Sequence, residues 1–287
     1  MVLNHRSAAI YEQQQNQRPA PAGRPRLTRE QWLARRRRKR LRLLRNWVLF
    51  LSACGMAVGL MTGLILWLLP RAGALLGGSQ QFEAPSYDLS GYVCDPSDPY
   101  LVLVNNNLPL SADPAPALAV ADDATGQQLE QAAADAYRAM ADAAGQVGIR
   151  LTLEGGYQTA GQAKQDFDAR KQGYLDGGMD DAQADARAAS IVPRPGCNER
   201  VTGLAALILA EGYDTLDTGF ANTDAFRWLS AYAADYGFIL RWPEDRQAAT
   251  GMVFQPWHWR YLGVENARAI AASGLSLEEF LAVNQLA

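Results

Sequence analysis

The spacing of apolar residues changes character along this 287-residue chain, and each change predicts an element. Residues 1–30 are polar, with Gln13-Gln14-Gln15 and a Pro-rich stretch from Pro19 to Pro25, and are expected to be disordered because they can bury little apolar surface. Trp47 to Leu69 is a run of 23 residues without a charge. That is long enough for a transmembrane helix, which needs about 20 apolar residues. Residues 70–91, with Gly77, Gly78, Ser79 and Pro85, read as a linker, and a folded domain is expected over 92–287. Leu101 to Asn105 is a short β-prone run. Leu129, Ala133, Ala136, Met140, Ala144 and Val147 recur at helical spacing and predict a helix over 125–147, stopped by Gly148. Ile149 to Leu153 alternates as a strand. Helices follow over 161–175, 180–190 and 222–235, the last with Phe226, Leu229, Tyr232 and Ala233 on one face. The first two carry Lys164, Asp168, Arg170, Lys171, Asp185 and Arg187 and read as a solvated lid or flank. Two helices close the chain, with Ser276 and Glu279 forming a capping box for the last.

Charge divides the chain at the apolar run. Residues 1–46 contain 13 Lys and Arg against 2 acidic residues, whereas the rest contains 14 against 28. A basic head and an acidic body imply two compartments. The cluster Arg35-Arg36-Arg37-Arg38-Lys39-Arg40 precedes the span, and Trp47 and Trp67 sit near its ends, so the N-terminus is expected in the cytoplasm and the domain outside. The apolar run exceeds the 7–15 residues of a cleaved leader, which favours an uncleaved signal anchor. Beside a span, topology and anionic lipid account for the basic cluster, and no nucleic-acid partner is expected.

Cys54 lies within the span. Cys94 and Cys197 share the outer domain, where oxidation is permitted, and a Cys94–Cys197 disulfide is expected. Neither belongs to a CxxC pair, so a thiolate metal site is not expected. His5 lies in the tail, which leaves His258 as the one histidine of the outer domain. Patterns for a nucleophile-elbow hydrolase, a P-loop or a dinucleotide site are missing.

The densest aromatic stretch is Gln255-Pro256-Trp257-His258-Trp259-Arg260-Tyr261, preceded by Asp235-Tyr236-Gly237-Phe238-Ile239-Leu240-Arg241-Trp242-Pro243. This order resembles the C-terminal half of the VanY-type D-alanyl-D-alanine carboxypeptidases, zinc peptidases of the bacterial cell wall, whose final segment reads Glu-Pro-Trp-His-Trp-Arg-Tyr. Pro195-Gly196-Cys197-Asn198-Glu199-Arg200-Val201-Thr202-Gly203-Leu204-Ala205-Ala206-Leu207 is similar to the family's Pro-Gly-x-Ser-Glu-His-Gln-Thr-Gly-Leu-Ala-x-Asp. Gly155-Gly156-Tyr157-Gln158-Thr159 parallels Ser-Gly-Tyr-Arg-Ser. The resemblance covers roughly residues 92–275. It implies an α+β fold, a small and mainly antiparallel sheet with packed helices, preceded here by the one transmembrane helix.

The same resemblance assigns roles to positions. The zinc ligands map to Arg200, Leu207 and His258, the general base to Gln255, and the arginine that meets the substrate's terminal carboxylate to Gln158. A catalytic zinc needs three protein ligands and an open position for water. Arginine stays protonated and leucine has no donor. A glutamine cannot accept the proton that a carboxylate base takes. No cofactor is therefore expected, although active relatives use zinc, and no residue is expected to be catalytic. The expected cleft residues are Gln158, Asn198, Glu199, Arg200, Trp257 and His258. Arg200 stands either as a cation for a peptide carboxylate or as a replacement for the metal charge that holds a buried acid. The first expectation is a single-pass protein of the bacterial cell membrane with an inactive VanY-like domain that binds a peptidoglycan stem peptide or an envelope protein. An active carboxypeptidase with a relocated metal site and a scaffold of an envelope complex are the alternatives.

Overall fold

A computed structural model describes Arg37 and residues 80–285 of the chain. The rest of the basic tail, the expected span Trp47 to Leu69 and residues 70–79 lie outside the described residues. No described helix is long and apolar enough to cross a membrane. Residues 80–91 form no helix or strand, yet Phe82 packs edge-on against Tyr232 and Tyr87 and Leu89 pack with the C-terminal helices.

The hairpin β1 (Leu118–Asp122) and β2 (Gln127–Glu130) pairs antiparallel and leads directly into α1 (Gln131–Gln146). β3 (Leu151–Gly155) is followed by the helical pair α2 (Ala160–Asp176) and α3 (Asp181–Ala189), then by β4 (Ala205–Ala210). α4 (Asp224–Tyr232), β5 (Phe238–Leu240), β6 (His258–Tyr261), α5 (Val264–Ser273) and α6 (Leu277–Gln285) complete the domain. The four-stranded sheet has the order β3-β4-β6-β5, with every neighbouring pair antiparallel. This is the expected α+β architecture. The main core lies where α1 and α4 cover the sheet, with Leu129, Tyr137, Met140, Leu153, Ile208, Leu229, Phe238 and Trp259 buried together.

Two expected elements differ. The helix begins at Gln131, not near 125, because Asp122 turns the chain into a hairpin instead. Its Oδ1 accepts from the Ala124 amide at 2.9 Å, and its Oδ2 accepts from the Leu153 amide at 2.9 Å. Gly126, at φ 69°, completes the turn. Leu129 is core, but on a strand, and Glu130 caps the helix by accepting from the Ala132 and Ala133 amides. Val147, expected on the buried face, is 47% exposed. The run Leu101–Asn105 is not a strand. The Tyr100 and Val102 carbonyls accept from Arg260 Nη2 at 3.0 and 2.9 Å, which occupies acceptors that a strand would offer to a neighbour. The Ser276–Glu279 capping box is present, with Ser276 N and Oγ both donating to Glu279 Oε2 at 2.9 Å.

The expected Cys94–Cys197 disulfide is not formed: both residues are free thiols. They belong to different packing environments. Cys94 packs with Tyr92 on the cluster around α5 and α6, and Cys197 closes the turn from Arg194, whose carbonyl accepts from its amide at 2.8 Å. Burial pushes the Cys197 thiol up, with Arg194 acting in the opposite direction.

The loop after β3 lies against the backbone of β2. The Tyr157 amide donates to the Gln128 carbonyl at 2.6 Å, and a Cβ on Gly156 would overlap that same oxygen. Gly156→Ala is therefore expected to destabilise the domain by about 1–3 kcal/mol through overpacking. A thermal melt would register this as a fall of several degrees, and an unchanged midpoint would show that the loop moves aside without cost.

Candidate functional site

The positions singled out by the sequence converge on one cleft, of about 780 Å³, between the four-stranded sheet and the α2–α3 pair. Gln158 enters from the loop after β3, and Asn198 and Arg200 from the turn that precedes β4. Leu207 and His258 are register partners on β4 and β6, so their side chains stand side by side. Gln255 and Trp257 come from the loop into β6. Asp166, Arg170 and Tyr174 of α2, with Ile191, Val192 and Pro193, form the opposite wall.

Arg200 reaches across the floor. Its Nε donates to the Gly156 carbonyl at 2.7 Å. A Cβ on Gly155 would come within 2.8 Å of Arg200 Nη2 and 3.0 Å of Leu207 Cδ1. Gly155 thus leaves the space in which the guanidinium lies, at the position where the family pattern carries serine. Burial works against the Arg200 charge, opposed by the field of Asp166. Asp166 is itself engaged: Gln158 Nε2 donates to it, and Gln158 Oε1 accepts from Asn198 Nδ2 at 3.3 Å.

Glu199, expected in the cleft, is not there. It is 1% exposed beneath the floor, where its Oε1 accepts from Arg241 Nε at 2.7 Å and lies 3.0 Å from Arg260 Nη1. Arg241 also grips Glu278 of α6 through two hydrogen bonds, at 2.8 and 2.7 Å. The acid beneath the cleft is therefore held by Arg241 and Arg260, and Arg200 does not hold it. This removes the second role considered for Arg200. His258 has its Nε2 buried without a partner among the described residues and packs edge-on to Trp242 at 5.5 Å. Burial, then the charges of Arg200, Arg241 and Arg260, hold its imidazole well below the usual histidine range, so it is neutral. Gln255 is committed to structure: its Nε2 donates to the Ile191 carbonyl at 2.8 Å.

Zinc does not fit these residues. Where three ligands would converge, the side chains are a guanidinium, an isobutyl group and one imidazole. Among the described residues no group of three His, Cys, Asp or Glu could hold a metal.

The family model described as "VanY: D-alanyl-D-alanine carboxypeptidase" matches residues 126–264, which include every mapped position. The solved structure of VanYB in complex with D-alanine-D-alanine is 33% identical, covers 64% of this chain and 97% of that one, and superimposes with a TM-score of 0.58. The chain belongs to the VanY family. A VanY D,D-pentapeptidase variant solved with Zn(II) is 32% identical over 63% of this chain and 98% of that one, with a TM-score of 0.57. A D-alanyl-D-alanine carboxypeptidase of Enterococcus faecalis is 33% identical over 181 residues, 63% of this chain and 65% of that protein. The match thus spans just under two thirds of that relative's length. Of these two structures, the first holds D-alanine-D-alanine and the second Zn(II).

The α2 wall was missed by reading its charges as solvated. Asp166, Arg170 and Tyr174 recur at a spacing of four beside the buried Ala163 and Phe167, on the same side of α2, and that shared stripe was the available signal. Arg241 and Arg260 were also missed, although a charge at the end of or within an otherwise apolar strand demands a buried partner.

Removing one member of the buried ion cluster leaves its partners unpaired. Glu199→Ala is expected to cost about 3–5 kcal/mol in chemical denaturation; a loss below about 1 kcal/mol would show that Arg241 and Arg260 find other partners. The neutral His258 gives a separate expectation. Its folded-state pKa is depressed, so below about pH 6.5 the unfolded chain binds a proton that the folded domain refuses. Stability is lost as pH falls below that point, with a slope approaching about 1.4 kcal/mol per pH unit from this one group. His258→Gln should remove that component between pH 7 and pH 5.5, and identical slopes in both proteins would show that the imidazole does not carry it.

Proposed function

We propose that this chain is a membrane-anchored protein of the bacterial envelope whose VanY-family domain binds wall stem peptide without hydrolysing it. One observation carries the reading: Arg200, Leu207 and His258 meet at one point of the cleft, where hydrolysis would need a metal. A charged guanidinium repels a dication, and leucine gives it no electron pair. At the base position Gln255 can neither take a proton at neutral pH nor turn freely, since it bonds the Ile191 carbonyl. The cleft itself is open and lined by polar and apolar groups in the manner of a binding site. The dipeptide bound by VanYB indicates the chemical class of ligand. The 23-residue uncharged run, preceded by a basic cluster, supports the anchor and a domain outside the cytoplasm.

Full-length protein purified in detergent tests this reading. After dialysis against zinc-containing buffer it is expected to retain no stoichiometric metal and to release no D-alanine from a peptide ending in D-Ala-D-Ala. About one zinc per chain, with release of D-alanine, would overturn the proposal in favour of an active carboxypeptidase. The double variant Arg200→His, Leu207→Asp places two donors beside His258, and is expected to take up about one zinc per chain where the parent takes none.

A further inference from the structure

The last carbonyls of a helix have no partner within it. At and just beyond the end of α3, three consecutive carbonyls are met from three separate places. Ala189 O accepts from Asn106 Nδ2 at 2.7 Å, Ser190 O from the Val253 amide at 2.8 Å, and Ile191 O from Gln255 Nε2 at 2.8 Å. Asn106 also holds the far side of this turn, its Oδ1 accepting from the Arg194 amide at 2.8 Å.

The α2–α3 pair that these bonds secure has a core of its own. Phe167, Ala188 and Ala189 are buried together, with Tyr174 and Val192 against them, apart from the main core on the sheet. From Thr159 to Arg194, the side-chain hydrogen bonds to the rest of the described domain come from Gln158 at one end and from Asn106 and Gln255 at the other. The pair is therefore a flap, and it carries one wall of the cleft: Asp166, Arg170 and Tyr174 on α2, then Ile191, Val192 and Pro193 after α3.

Position 255 has to supply a donor. Carbonyls at a helix C-terminus carry the negative end of its dipole. An ionised carboxylate facing Ile191 O has no hydrogen to give and is repelled, whereas the Gln255 amide donates. Gln255 is 4% exposed, so little water reaches the bond to replace it. Where the family pattern carries glutamate, the amide that cannot act as a base is the group that can hold the wall.

We propose that Gln255 and Asn106 form a clasp that holds the α2–α3 flap over the cleft, and that release of the clasp opens the cleft to a ligand. Gln255 is then a positioning residue for the wall. The inference goes beyond the reading of the cleft as a peptide site, because it is the same for any ligand that enters past the flap.

Hydrogen exchange of the full-length chain in detergent, read as protection relative to the unstructured rate, tests the clasp without a ligand. Gln255→Met keeps the length of the side chain and removes the donor, and Asn106→Ala removes the other half of the clasp. Each is expected to lower protection of the Ile191, Val192 and Arg194 amides by about tenfold, the scale of one buried hydrogen bond, and to leave the β4 and β6 amides as in the parent. Gln255→Glu separates the donor from the shape. Its carboxyl donates to Ile191 O while protonated and loses that bond once ionised. The charges facing it are Arg200 on the floor and Arg170 and Asp166 on the flap, beside the neutral His258. Burial raises the pH of the change, the two arginines lower it, and Asp166 opposes them. From about pH 5 to about pH 8, flap protection in Gln255→Glu is expected to start near the parent's and fall to or below that of Gln255→Met, whose deficit stays constant. Comparison with the parent at each pH removes the contribution of His258, which both proteins share. Parent-like flap protection in both Gln255→Met and Asn106→Ala would overturn the clasp, and so would a loss spread evenly over the sheet. A deficit in Gln255→Glu that stays as constant with pH as that of Gln255→Met would overturn the need for a donor at position 255.

Discussion

A carboxylate taken out of water costs several kcal/mol unless cations meet it, and Glu199 is met by two. Arg241 follows β5, Arg260 lies in the middle of β6, and Glu278, which Arg241 also grips, opens α6. Glu199 itself stands in the turn that carries Arg200. One ion cluster therefore fixes the sheet, the last helix and the cleft floor in a common frame. Arg260 extends the frame to the N-terminal segment by donating to the Tyr100 and Val102 carbonyls. Two acids and two arginines balance within the cluster in formal charge, although Arg241 and Arg260 still act on His258 in the cleft above.

That balance makes Arg200, the guanidinium on the cleft floor, significant. His258 is neutral, Gln255 and Gln158 are neutral amides and Leu207 is apolar, while on the opposite wall Asp166 accepts from Gln158 and Arg170 adds a second cation. The rigid floor holds Arg200 in place through the Gly156 carbonyl and the missing side chain of Gly155. A cation positioned by the fold, with its remaining donors directed to an open cleft, is preorganised for an anion and loses little side-chain entropy on binding.

Much of this is legible in the sequence. Aromatic and glycine positions such as Pro256-Trp257, Gly203 and Gly237 carry the family resemblance because they answer to packing and turn geometry. The convergence of Arg200, Leu207 and His258 followed from those positions. The hairpin before α1 was illegible because Leu129 sits on a strand yet faces the same core as the helix, which makes helical spacing appear to start too early. Glu199 was misplaced because one residue along a tight 3-10 turn separates a cleft side chain from a buried one. The disulfide was inferred from compartment and count alone, and neither reports whether two sulfurs meet.

The changed positions form a coherent set when taken as charge rather than as lost function. At the mapped positions one guanidinium, Arg200, stands beside an isobutyl group, a neutral imidazole and two side-chain amides, so that point of the cleft is positive without a metal. Arg170 and Asp166 on the α2 wall add one charge of each sign and cancel in the net count. Gly155 carries no Cβ to meet Arg200 Nη2 and so leaves the room that this charge needs.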